Sequence, residues 1–173
     1  MRDIADFLRA GQCRPLHKLE QLKRALIEHD YNKAIVFVDR IVIAHALKEE
    51  FVQLKPVLLL GRSHGGTEAQ ERALREARKP DTRLLIATSA AEEGLNVPEV
   101  DMVVTWSITA NPVRFIQRKG RGMRPTPDGS TGRPKVDVFL ATPETPDYDA
   151  LRSGIGAVKK AGLDLWLSEE PVK

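Results

Sequence analysis

Five short aliphatic runs limit what this chain can fold into: KAIVFV (33–38), PVLLL (56–60), RLLIAT (83–88), DMVVTW (101–106) and KVDVFLA (135–141). They are mostly continuous, without the apolar-polar alternation of a strand that has one wet face. Strands of this kind are buried on both sides, so a sheet built from them is parallel and needs helices over each face. The intervening segments supply the helices. Leu16, Leu19, Leu22 and Leu26 form a stripe at three- and four-residue spacing. A second helix is expected over 41–54, and a third after Gly65-Gly66, where Thr67 and Gln70 have capping-box spacing. Asn111 and Pro112 read as the N-cap and first residue of a fourth, and a last helix is expected near 147–161. The β-α-β alternation predicts an α/β fold: an open, doubly wound parallel sheet with helices on both faces and right-handed crossovers.

With 173 residues, 42% of them hydrophobic, the chain is long and apolar enough for one packed domain. We expect a single domain over 1–173, with a lead-in at 1–15 and a helical extension at 142–173. The single cysteine, Cys13, excludes an internal disulfide and a cysteine zinc site, and fits a reducing compartment. Four histidines, His17, His29, His45 and His64, show no metal-ligand spacing, so no metal site is expected. No apolar run reaches membrane-spanning length, and MRDIADFLRAG carries acids where a signal peptide would not. The expectation is an intracellular protein, cytoplasmic, nuclear or nucleoid, with no membrane partner.

The net charge is only +3, but it is unevenly placed. Between 111 and 135 stand seven basic residues, Arg114, Arg118, Lys119, Arg121, Arg124, Arg133 and Lys135, against one acid, Asp128. Such local excess suits a site that meets phosphates. On a helix started at Pro112, Gln117, Arg121 and Arg124 fall at i, i+4 and i+7 and share a face. Gly120 and Gly122 beside them are poor helix formers, yet they admit close approach by another body. Guanidinium groups offer a fixed, permanently charged fork of donors that matches phosphate oxygens. Further on, RPTPDGSTGRPK (124–135) has the Pro, Gly and Ser content of a loop.

The pattern Gln-Arg-x-Gly-Arg-x-x-Arg at 117–124 resembles motif VI of superfamily 2 helicases. IATSAAEEGLNVPEVDMVV (86–104) resembles their motif V, KAIVFVD motif IV, and SHGGTEAQERALREAR the motif IVa region. LHKLEQLKRAL resembles the helix that leads into the second, C-terminal RecA-like lobe of these enzymes. The order of the motifs agrees, the resemblance covers roughly residues 16–140, and it points to the Hef and FANCM group, with Dicer and RIG-I-like helicases next. The resemblance implies a RecA-like fold and a set of roles. Arg121 and Arg124 are implied as arginine fingers toward the γ-phosphate of ATP, with Gln117 on the nucleotide side and Asn96 near the ribose. Thr88, Ser89, Gly94, His64 and Gly65 are implied to meet the nucleic-acid backbone. The residue types fit: hydroxyls stand at a strand's carboxyl end, Gly94 frees an amide, and a helix start offers free amides to phosphate.

The chain departs from its family in two respects. Many relatives carry Asp where this chain has Asn96, whose amide still hydrogen-bonds a ribose hydroxyl but brings no charge. No G-x-x-x-x-G-K-[ST] loop and no DEAD or DExH box occurs, and these are the family's ATP- and Mg²⁺-holding elements. The expected partners are therefore an N-terminal RecA-like lobe holding ATP and Mg²⁺, and nucleic acid, DNA ahead of RNA. Alone, the chain is expected to be inactive. The alternative is a stand-alone module that binds nucleic acid or a partner without ATPase activity. A self-sufficient nucleotide-binding enzyme would need a glycine-rich loop after its first strand, which is missing. Trp106 is expected in the core, and Trp166 to pack the tail onto the sheet or another lobe.

Overall fold

The computed structural model describes residues 15–61, 66–88, 100–108, 136–142 and 145–160. The chain runs α1 (Pro15–Glu28), β1 (Ala34–Val38), α2 (Ile41–Glu50), a 3-10 turn (Val52–Leu54), β2 (Val57–Leu59), α3 (Gly66–Ala77), β3 (Leu84–Thr88), β4 (Met102–Thr105), β5 (Val136–Phe139) and α4 (Pro146–Lys160). All five aliphatic runs are strands, trimmed by a residue or two at their ends. They form one parallel sheet in the order β2-β3-β1-β4-β5.

β1 lies in the middle, with Val36 level with Ile86 on one side and Val104 on the other. Every residue of β1, β3 and β4 is buried, whereas the edge strand β5 is half-buried along its length. Successive side chains alternate between faces. Val36, Val38, Ile86 and Val104 pack with Leu19 and Leu22 of α1 and Leu47 of α2. Ile35, Phe37, Leu85 and Val103 pack on the opposite side with Ala77, Ala73 and Leu74 of α3. Helices thus cover both faces, which explains why the strands lack polar alternation.

The amino-terminal edge of the sheet is closed by polar bonds. The Asp101 carboxylate accepts the backbone N–H of Asn32 at 2.8 Å and of Lys33 at 2.7 Å. Lys33 Nζ donates to the carbonyls of Ala77 at 2.6 Å and Lys79 at 3.0 Å, serving the otherwise unpaired end of α3. Burial holds the Lys33 ammonium below its ordinary pKa range. The Arg83 guanidinium stacks 5.1 Å from the centre of the Tyr31 ring and donates to the Tyr31 carbonyl at 3.0 Å.

Three helices differ slightly from expectation. α2 stops at Glu50 instead of running to 54, with Phe51 outside helical geometry, and Val52–Leu54 follow as a 3-10 turn that ends where Lys55 turns at φ 48° before Pro56. α3 begins at Gly66, so Thr67 falls in its first turn and not at its cap. α4 starts on Pro146, whose missing N–H costs nothing at a first helical position. The helix expected from Asn111-Pro112, the loop at 124–135, Cys13, His64 and Trp166 lie outside the described residues.

Two glycines give a test of backbone against space. Gly66 has φ +75°, and a methyl group there would meet nothing within 4 Å. Gly66→Ala should therefore cost about 1–2 kcal/mol through conformation alone. Gly156 sits inside α4 in equally open space. Gly156→Ala should stabilise by about 0.5–1 kcal/mol. Urea midpoints of the two variants, shifted in opposite directions, are the expected result.

Candidate functional site

Thr88 closes β3 at the sheet's carboxyl edge and is 2% exposed. Among the described residues its Oγ1 has no hydrogen-bond partner, and the same holds for Thr105, also 2% exposed, at the end of β4. Buried hydroxyls are normally paired, so two orphans on one edge call for a reason. β1 separates them: Thr88 is level with Val38 and Thr105 with Phe37. They therefore stand two strands apart, about 9–10 Å. Thr88 points to the face covered by α1 and α2, Thr105 to the face covered by α3.

The chain leaving β4 is held on several sides. The N–H of Trp106 donates to the Phe37 carbonyl at 3.0 Å, and the N–H of Ser107 reaches the same oxygen at 3.4 Å. Asp39 N–H donates to Ser107 Oγ at 3.1 Å, and Leu140 N–H to the Thr105 carbonyl at 3.0 Å. From α1, Lys18 Nζ donates to the Trp106 carbonyl at 2.8 Å and pairs with the Asp147 carboxylate of α4. The Lys18 side chain is only 9% exposed. Trp106 lies in the core beside Leu140, as expected.

Because the sheet is parallel, the segments 62–65, 89–99 and 109–135 all follow carboxyl ends, those of β2, β3 and β4. Open α/β sheets bind ligands outside that edge. Of the expected contacts only Thr88 is described. His64 and Gly65 belong to the first segment, Ser89, Gly94 and Asn96 to the second, and Gln117, Arg121 and Arg124 to the third; these eight lie outside the described residues. Among the described residues no three His, Cys, Asp or Glu side chains are grouped to hold a metal ion. No described helix is long and apolar enough to cross a membrane.

The family model of the helicase conserved C-terminal domain matches residues 17–126. The chain belongs to that family. Solved structures agree on the fold, that of a RecA-like C-terminal helicase domain. The C-terminal domain of the DEAD-box protein Dbp5, 22% identical, superposes with a TM-score of 0.68 over 84% of this chain and 78% of that one. E. coli SrmB, solved with the ribonuclease regulator RraA, gives 0.66 at 20% identity over 80% and 76%. Among curated relatives, the ATP-dependent RNA helicase DBP8 of Eremothecium gossypii is 32% identical over 75% of this chain and 28% of its own length. The ATP-dependent DNA helicases Fancm of Drosophila melanogaster and fml1 of Schizosaccharomyces pombe are 35% and 30% identical, over 60% and 70% of this chain. This helicase lobe spans 28%, 8% and 16% of those three proteins.

Lys18, Asp147 and Thr105 escaped the sequence reading. Lys18 and Asp147 are 129 positions apart, and no local pattern links them. Thr105 left a faint signal, being the one hydroxyl residue in an otherwise apolar strand end that matches Thr88 in place.

The orphan hydroxyls make a prediction about stability. A buried polar group without a partner costs about 1–3 kcal/mol, and Val matches Thr in shape. Thr88→Val and Thr105→Val should each leave the lobe as stable as before, or stabilise it by up to about 1 kcal/mol. Equilibrium urea unfolding measures this, and a loss beyond that amount would show that the hydroxyl is paired after all.

Proposed function

We propose that this chain is the second motor lobe of an ATP-dependent helicase or translocase, acting on nucleic acid across a cleft from a first RecA-like lobe. The observation that carries the reading is the family match over 17–126, which takes in every expected contact from His64 to Arg124. The relatives' own names, ATP-dependent helicases, point the same way.

The donor chemistry of the third segment fits a nucleoside triphosphate. Arg121 and Arg124 bring two fixed forks of charged donors, and Gln117 a neutral amide. ATP supplies phosphoryl transfer when bound, with Mg²⁺ held by the first lobe. In this reading Arg121 and Arg124 stabilise the charge that grows on the transferred group, Gln117 orients the phosphates, and Asn96 hydrogen-bonds a ribose hydroxyl. Ser89, Gly94, His64 and Gly65 offer a hydroxyl, close-approach amides and a helix start to the polymer's phosphates. Thr88, whose buried hydroxyl has no partner among the described residues, offers it to the bound strand in this reading. The likeness to Fancm and fml1 supports DNA, and the likeness to DBP8 supports RNA. Competition between DNA and RNA of matched sequence decides.

Arg124→Lys in the two-lobe protein tests the core of the reading. Lysine keeps the charge and loses the bidentate fork, and arginine fingers are worth about 10³–10⁵ in rate. We expect kcat to fall at least about 100-fold, with nucleic-acid affinity changed by less than about threefold. Thr88→Val should show the opposite bias, weakening stimulation by nucleic acid more than basal hydrolysis. If Arg124→Lys instead weakens nucleic-acid binding and spares hydrolysis, the basic segment faces the polymer.

The chain by itself should turn over no ATP above background and should bind nucleic acid weakly and without sequence preference. Its affinity should fall steeply with salt, each phosphate contact adding about 0.7–0.9 to the slope of log K against log salt. Titrations from low to physiological salt measure it; a flat slope would assign binding to base stacking instead.

A further inference from the structure

We propose that Lys18 is a positioning residue: it fixes the peptide at Trp106, from which the chain departs β4 toward Gln117, Arg121 and Arg124. This deepens the motor-lobe reading and rests on it for its link to catalysis. The geometry is concentrated at one point. Lys18 Nζ, on α1, holds the Trp106 carbonyl at 2.8 Å and the Asp147 carboxylate of α4. The N–H of Trp106 is held by the Phe37 carbonyl of β1, and the preceding Thr105 carbonyl by Leu140 N–H beyond β5. Two successive residues are thus anchored directly to α1, β1 and Leu140, and through Lys18 to α4.

Stability alone does not call for an ammonium there. Burying a charge is costly, and a buried ion pair seldom outdoes a packed apolar side chain of equal volume. What an ion pair adds is direction. Ammonium, carboxylate and carbonyl must meet in one arrangement, which an apolar contact does not demand. The carbonyl it selects belongs to the exit of β4, three residues before the segment with the candidate arginines begins. That segment runs 18 positions from Trp106 to Arg124, and an error in its starting direction would displace the arginines at its far end. Positioning matters greatly in phosphoryl transfer, where misplacement by about 1 Å can cost a hundredfold in rate.

Two variants and two readouts test this. Lys18→Met keeps an unbranched chain and removes the charge; Asp147→Asn keeps volume and removes the other half of the pair. On the chain itself, hydrogen exchange should rise at least about tenfold at Trp106 and Ser107, whose amides meet the Phe37 carbonyl, while the amides of Ala34–Val38 keep their protection. Exchange rising equally in both places would mean a general loss of stability and would overturn the proposal. In the two-lobe protein, Lys18→Met should lower kcat at least about tenfold with KM for ATP within about threefold. In an Arg124→Ala background the same substitution should have no further effect, since Lys18 acts through that segment. Factors that simply multiply would overturn the link. If Arg124→Ala alone spares kcat, the motor-lobe reading fails, and the exchange result still decides whether Lys18 positions the exit of β4. Asp147→Asn, which leaves the Lys18 bond to Trp106 in place, should reproduce both effects more weakly; an unchanged exchange pattern in both variants would sink the idea.

Discussion

β1 is hydrogen-bonded along both edges and covered on both faces, with no residue of Ala34–Val38 exposed. Its odd and even residues seed two separate cores, Phe37 on the α3 side and Val36 on the side of α1 and α2. A strand so placed has no room for a polar side chain, and backbone pairing must satisfy its own amides and carbonyls. The rest of the architecture depends on this strand. Its neighbours must be parallel and apolar, helices must lie on each side, and the crossovers must bring every later loop back to the same end.

The two edges of the sheet are treated differently. At the amino edge Asp101 takes two backbone N–H groups, Lys33 takes two carbonyls of the chain ending α3, and Arg83 covers Tyr31. Those polar groups are paired. At the carboxyl edge the buried hydroxyls of Thr88 and Thr105 have no partner among the described residues. Folding has little reason to leave such groups unpaired, because each one costs free energy. An edge that retains unspent donors and acceptors is the natural place for a ligand, and topology says the same of carboxyl ends in open α/β sheets.

The fold was readable because its causes are local. Continuous aliphatic runs announced the strands, and the Leu19–Leu22–Leu26 spacing announced the face of α1. The exceptions were also local: the helical stretch after β1 divides at Phe51 into α2 and a 3-10 turn, a detail finer than periodicity. The motif residues were readable for another reason, since Gln117, Arg121 and Arg124 form a dense pattern within eight positions. Thr88 belongs to the stretch that resembles motif V, but its depth beneath the surface leaves no mark in the sequence. Lys18 and Asp147 were invisible, because their meeting depends on where two helices at opposite ends of the chain come to rest. Long-range polar contacts leave no mark in spacing.

That last pair bears on how a lobe of this kind would work. On the proposed reading the catalytic charge is divided: guanidinium groups on this lobe, phosphate loop and metal on the other. Neither half is competent until they meet, so hydrolysis depends on bringing the arginines to a defined place and not merely on their presence. The segment carrying them is anchored at its start by β4, whose own position is fixed by β1. Lys18 adds a tie from that same point to α1 and α4. A displacement of α1 or α4, by a bound strand or by the neighbouring lobe, would then reach the exit of β4 through one ammonium group. α1 and α4 are in this sense tied to the exit of β4 by a physical contact, and the tie is only as strong as the bond between Lys18 and the Trp106 carbonyl.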